Sequence, residues 1–143
     1  MNYQNFLTRV IDEGIQAARK DYDQPDEIDK LTGSVAGFEA CRDKSPTELK
    51  TMLTNSRVGT FRAREDHRRE AGPAQLDANF HGSLTEEAKG YWWYRCFEAE
   101  VEWVCNVVSA MLLNEGRSPI ATVTARGMMK AAEIVGVANV CAN

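Results

Sequence analysis

The apolar positions of this chain recur with a helical period from end to end. Between residues 3 and 22 they fall at Tyr3, Phe6, Leu7, Val10, Ile11, Ala17 and Ala18, the three-and-four spacing that draws one stripe along an amphipathic helix. Gly14 lies on the same stripe. Glycine weakens a helix, so its place there predicts a close helix crossing. "DYDQPDEIDKL" breaks this helix and begins a second over 25–42. Pro25 suits a first turn, and Asp26 and Glu27 complement the amino-end dipole. The second helix has a large apolar face (Ile28, Leu31, Val35, Phe38) and a small one (Gly33, Ala36, Gly37, Ala40), and small residues at that spacing predict tight backbone packing.

"SPTE" at 45–48 starts a third helix, with Ser45 as cap, Pro46 in the first position and Glu48 reaching back as a capping box. Leu49, Met52 and Leu53 point inward. Past Ser56 the period fades, and "RVGTFRAREDHRRE" reads equally as a continuation or as a new helix from Thr60. "AGPAQLDANFHGS" is a loop by its Gly, Pro, Asn and Asp content. Ser83 and Glu86 then give a second capping-box pattern at the head of a long helix over 84–115, which Gly116 and Pro119 end. The last helix runs from a Thr124 cap through Met128, Ala131, Ile134 and Val135, and Gly136 followed by Val137 reads as a left-handed terminus. No β-type alternation and no repeat interrupts the series. The expected fold is all-α, one domain over 1–143, with about five helices around the long one.

That long helix contains "YWWYRCFEAEVEWVC", residues 91–105. One of its faces holds Trp92, Cys96, Ala99, Trp103, Val107 and Ala110; the opposite one holds Tyr94, Phe97, Val101, Cys105, Val108 and Leu112. Trp93, Val104 and Met111 fill a flank, leaving a polar strip of Tyr91, Arg95, Glu98, Glu102, Asn106 and Ser109. A helix apolar around most of its circumference is enclosed by other helices. So short a chain leaves part of that surface uncovered. Trp92, Trp93 and Trp103, with the Gly33/Gly37 face, are therefore candidate homodimer surfaces, since tryptophan is enriched at interfaces.

Composition narrows the function classes. A chain of 143 residues with 43% hydrophobic and 27% charged residues has the size and balance of one globular domain and is not wholly disordered. The net charge of −4 argues against indiscriminate coating of nucleic acid. "MNYQNFLTRVIDEG" lacks the basic-then-apolar pattern of a signal peptide. Val101–Leu113 is too short for a membrane span and carries Glu102 and Asn106. A soluble, cytoplasmic protein with no membrane partner is expected. Four cysteines (Cys41, Cys96, Cys105, Cys141) include no CxxC pair. Cys96 and Cys105, about 13 Å apart on one helix, cannot bridge each other, and buried reduced thiols are expected.

Candidate chemistry is sparse. His67 and His81 are the only histidines, too few for a His-rich metal site, and there is no zinc spacing, GxGxxG or P-loop. Asp77, His81 and Ser83 share a loop without a nucleophile elbow. Glu98 and Glu102, four apart, resemble half of the carboxylate set of all-α nucleotide pyrophosphohydrolases, yet a hard cation needs several converging acids and no second acidic motif faces them. No cofactor and no metal are expected, and hydrolysis through Glu98 and Glu102 is the alternative. The asymmetric feature is Arg57, Arg62, Arg64, Arg68 and Arg69, set against Glu65, Asp66 and Glu70. Such runs are usually solvated faces. A functional run would use the guanidinium fork on an acidic protein partner or a phosphate-bearing ligand, with nucleic acid as second choice. The acidic run Asp21, Asp23, Asp26, Glu27 and Asp29 is a candidate counterpart, within the chain or across a dimer.

"LTGSVAGFEACRDKSPTEL", "EVEWVCNVVSAMLLNEG" and "TARGMMKAAEIVGV" resemble small uncharacterised helical proteins encoded in bacteriophage and prophage genomes. The resemblance covers most of the chain but rests on helix-packing patterns, so it assigns no functional residue. It implies a setting: a non-enzymatic phage accessory protein in the host cytoplasm, which binds or inhibits a host component such as one of host defence.

Overall fold

In the computed structural model, residues 2–136 are described, apart from the side chains of Arg69 and Ala71. Five α-helices carry the fold: α1 (Tyr3–Asp21), α2 (Ile28–Ala40), α3 (Pro46–Ala71), α4 (Glu86–Asn114) and α5 (Ala125–Val135). No strand occurs among the described residues. Short 3₁₀ turns at Pro25–Glu27 and Pro73–Leu76 lead the chain into α2 and away from α3.

Local chemistry sets the ends. Asn2 caps α1 through the Asn5 amide, and Ser45 and Glu48 form the complete reciprocal box that opens α3. At α4 the cap is Thr85, which accepts from the Ala88 amide. The expected Ser83–Glu86 box does not form, because Glu86 is already the first helical residue. Gly116, at φ 73°, closes α4 with Arg117 N–H on the Leu112 carbonyl at 2.8 Å and its own N–H on Leu113 at 3.0 Å, the paired bonds of a Schellman end. Thr124 caps α5 as expected, and Gly136 ends it in the left-handed conformation (φ 77°, ψ 24°). Val137 and Cys141 lie outside the described residues.

The stretch after Ser56 continues α3 without a break, so "RVGTFRAREDHRRE" is one helix with its first half. Gly59 interrupts nothing there. α4 is the axis. α2 and α3 each lie along it, and no close backbone contact joins them to one another. From Val101 to Leu112 only Glu102 and Trp103 escape full burial. Even Asn106 and Ser109, expected on a polar strip, are buried, at 8% and 0% exposure. Each has a task. Ser109 Oγ accepts from the Ile120 and Ala121 amides, and Asn106 pairs with both the amide and the hydroxyl of Thr124. These bonds fasten the connection to α5 across the helix.

The small face of α2 packs as tightly as its residues predict, and the large face is less buried than its size suggests. The small face is the one against α4: a Cβ on Gly33 would strike the Trp93 backbone, and one on Gly37 would lie 2.7 Å from the Phe97 carbonyl oxygen. Of the large face only Phe38 is fully buried, while Ile28 is 54% exposed. Gly14 of α1 faces the Phe38 ring, which leaves no room for a side chain there. The crossing expected at Gly14 therefore exists, with an aromatic ring as its filling.

Candidate functional site

α3 is packed along its first half and presents a different surface along its second. Leu49, Leu53, Thr60 and Ala63 turn inward, and Thr60 Oγ1 donates to the Tyr94 and Ser56 carbonyls. Arg57, Arg62, Arg64 and Arg68 are exposed. Residues 57, 61, 64 and 68 share one helix face by their spacing, so Phe61 stands inside the arginine stripe. Phe61 is 58% exposed and its neighbour Val58 43%. Of these four arginines, only Arg57 has an ion partner among the described residues: Glu102 on α4, at 3.9 Å, with both side chains more than half exposed. Arg62, Arg64 and Arg68 form no ion pair among the described residues, and none of these arginines meets the acidic run near Asp26. Arg69 belongs to the same helix, with its side chain outside the description.

The sequence pattern identified the arginines and missed Phe61. "TFRAR" counted as faded periodicity, but an aromatic residue off the apolar period is the available signal for a surface aromatic.

The candidate self-association residues divide. Gly33 and Gly37 are covered by α4 of the same chain. Trp92 is 8% exposed and donates its indole N–H to the Gln75 carbonyl at 2.9 Å. None of these three offers a surface to a second copy. Trp93 and Trp103 remain half-buried. Trp93 stacks on Phe97 (5.3 Å, 24°) and meets Tyr94 edge-on. Together they floor an open apolar groove of about 600 Å³ between α2 and α3, with Met52 and Gly59 on its α3 side. Tyr94 there is 45% exposed.

The carboxylate pair is not assembled into a cation site. Glu102 faces Arg57, not a second acid, and no group of three or more His, Cys, Asp or Glu converges among the described residues. Asp77 spends an oxygen on the Asn79 amide at 2.8 Å, and no hydrogen bond joins it to His81 or Ser83. His81 instead lines a cavity of about 430 Å³ with Tyr22, Lys30, Phe80, Trp92 and Cys96. Lys30 Nζ sits 4.6 Å from the Trp92 ring centre, so a cation–π contact fills part of that space. Cys41, Cys96 and Cys105 are buried free thiols. Burial pushes Cys41 and Cys105 up to about 12 and raises Cys96 as well, which suppresses the thiolate that nucleophilic chemistry needs.

Sequence reasoning also passed over Glu100. It lies between α1 and α2, with its Cβ 3.3 Å from where a Gly37 side chain would begin. Burial, with the nearby Asp21 charge, raises its carboxyl to about 7, and the Ser34 hydroxyl works in the opposite direction. Ser34 is 1% exposed, and its hydroxyl has no hydrogen-bond partner among the described residues. Tyr22 completes the cluster beside Cys96, its phenol raised to about 12 chiefly by burial. No described helix is long and apolar enough to cross a membrane. Comparisons with protein-family models, with curated proteins and with solved structures give no match to the chain.

Proposed function

We propose that the protein works by binding and not by catalysis, as an accessory protein of the bacteriophage kind that docks on an acidic surface of a host protein. The observation that carries this reading is Phe61, more than half exposed within a stripe of arginines that are mostly unpaired inside the chain. An aromatic residue on one helix face with arginines is the composition enriched at protein interfaces. The arginines steer an acidic partner and pair with its carboxylates, while the ring supplies the desolvated centre. Left alone in water, neither group contributes much to folding.

The same mixture of aromatic and arginine suits stacking on single-stranded nucleic acid, and the test separates the two. Wild type, Phe61→Ala and Arg62→Glu/Arg64→Glu/Arg68→Glu are each used to capture partners from bacterial lysate, with and without nuclease, and the bound proteins are identified by mass spectrometry. The expected result is an acidic protein retained by wild type after nuclease and reduced at least tenfold by both variants. Retention that vanishes with nuclease supports the nucleic-acid reading. Equal capture by all three sinks the arginine face as the functional surface.

We further propose that two copies associate through the Trp93–Tyr94–Phe97 groove, because it is an exposed aromatic surface left between α2 and α3. Sedimentation at micromolar concentration should give twice the 16.0 kDa chain mass. Tyr94→Glu should return it to one.

A further inference from the structure

A cleft of about 450 Å³ opens between α1, α4 and α5, away from the arginine face. Its floor is aromatic, formed by Trp103 and Phe38, and one wall is small, because α1 contributes Gly14, Ala17 and Ala18 there. Five charged side chains line it: Glu13, Asp21 and Glu100 against Arg126 and Lys130. Glu13 is already paired, with Lys130 and Arg9. Lys130 divides its ammonium between Glu13 and Glu133. Arg126 lies over the Trp103 ring, 6.0 Å from its centre. The carboxyl groups of Glu100 and Asp21 are left with no ion partner among the described residues.

From this arrangement we infer that the cleft is a binding site for a small primary amine, its ammonium held between Glu100 and Asp21 and its apolar body resting on Trp103 and Phe38. The charge balance sets the sign of the ligand: Lys130 is paired with Glu13 and Glu133, and the lining groups without an ion partner among the described residues are two acids, Glu100 and Asp21, against one cation, Arg126, which lies over the Trp103 ring. Burial of a carboxyl without a cation is unfavourable, and an ammonium supplies what Glu100 lacks. Ser34 of α2, which stands beside Glu100 behind the cleft lining, adds to this. Its buried hydroxyl, directed at Glu100 and Cys96, is without a formed hydrogen bond. A carboxylate fixed by a bound ammonium would accept from it. The volume suits a ligand with a ring or branched body, and an ammonium near indole gains cation–π attraction.

The groups facing Glu100 also set the pH dependence. They are Asp21 of α1 and Tyr22, which caps it, Ser34 from α2 and Cys96 from α4, with Glu13 of α1 and Arg126 and Lys130 of α5 also lining the cleft. Ammonium binding should strengthen as pH rises from 5.5 to 8, since Glu100 must ionise to receive the cation.

Three probes of one shape test this by calorimetry and by the shift of the Trp103 indole N–H resonance. They are phenethylamine (cationic), 2-phenylethanol (neutral) and hydrocinnamate (anionic). Phenethylamine should bind at least tenfold more tightly than either of the others and move the Trp103 signal. Glu100→Gln should remove that preference and Asp21→Asn reduce it, with both variants folded by circular dichroism. Equal binding of the alcohol overturns the inference, as does unchanged amine affinity in Glu100→Gln. Stronger binding of hydrocinnamate would assign the cleft to Arg126 and an anion instead. No binding of phenethylamine at millimolar concentration also overturns it.

Discussion

Gly33 lies so close to Trp93 that a Cβ on the glycine would be 2.9 Å from the Trp93 Cα and nearer still to its carbonyl oxygen. Two helix backbones touch there with nothing between them. One turn on, Gly37 meets Phe97 in the same way, so α2 is seated on α4 by two missing side chains.

Gly33→Ala and Gly37→Ala should each destabilise the fold. The obstructing atoms are backbone, which cannot rotate away, and overpacking of this kind costs about 1–3 kcal/mol. The gain in helix propensity, up to about 1 kcal/mol, offsets only part. Gly90→Ala is the control. It is a helical glycine of α4 with open space where its Cβ would go, so alanine there should stabilise by up to about 1 kcal/mol. Urea denaturation of the three variants checks the contrast, and equal effects would disprove backbone contact as the cause.

Ser109→Ala should loosen the connection to α5 while leaving α4 intact. One hydroxyl satisfies two amides, Ile120 at 3.0 Å and Ala121 at 3.1 Å. Removing it leaves two donors unpaired, which costs about 1–3 kcal/mol where they stay buried. Hydrogen exchange should speed up at Ile120 and Ala121, with the amides of 101–112 unchanged.

Much of this was legible in the sequence. The caps at Ser45 and Thr124 and the terminal Gly116 and Gly136 are local chemistry, so residue type and spacing disclose them. The joined helix α3 was not, because no described residue of it beyond Ala63 is buried to impose a period; helix propensity and i,i+4 neighbours continue it where packing has stopped. Asn106 and Ser109 looked like solvent-facing polar residues, since a wheel cannot show that a distant loop will return to meet them. Glu100 fell outside the strip that contains Glu98 and Glu102. Its burial is a tertiary effect, set by the small residues of α2 that admit α4 so closely. The arginines were found by charge alone, but their relation to Phe61 appears only on a continuous helix.

The raised carboxyl of Glu100 gives a stability profile with a defined sign. Its folded value, about 7, lies above the ordinary 4.5, so between those values the native state holds the proton more tightly than the unfolded chain. Stability is therefore lost as pH rises from about 4.5 to 7 and is flat above. Glu13, Glu39 and Glu48 are shifted downward, Glu13 chiefly by its bond from Lys130 and Glu39 by Arg42. They act below about 4.5, where stability falls as pH falls. Glu100→Gln should abolish the upper loss, gaining on the order of 2 kcal/mol over wild type at pH 8 and little at pH 4.5. Parallel wild-type and variant curves across that range would show that Glu100 ionises freely in the folded protein.

Trp92→Phe tests how the loop between α3 and α4 is held. The indole N–H donates to the Gln75 carbonyl at 2.9 Å, and the Gln75 side chain accepts from the Thr85 amide at 2.8 Å. Gln75 thus joins the loop to the flank of α4 on one side and to the α4 cap on the other. Phenylalanine keeps most of the apolar contact with Tyr91, whose ring meets Trp92 edge-on at 5.2 Å, but it cannot donate. The lost bond leaves a carbonyl that water can reach, so the global cost should stay near 1 kcal/mol. The local consequence should be larger, because short loops with few buried contacts open first. Limited proteolysis should cut the variant between Gly72 and Leu84 several-fold faster than wild type, with the helices spared. Gln75→Ala should behave differently: the main-chain carbonyl still receives the indole, and the Thr85 amide loses its partner, so the head of α4 should fray while the loop stays docked. If both variants are cut alike, the two bonds act as one latch, and the indole has no separate part in holding the loop.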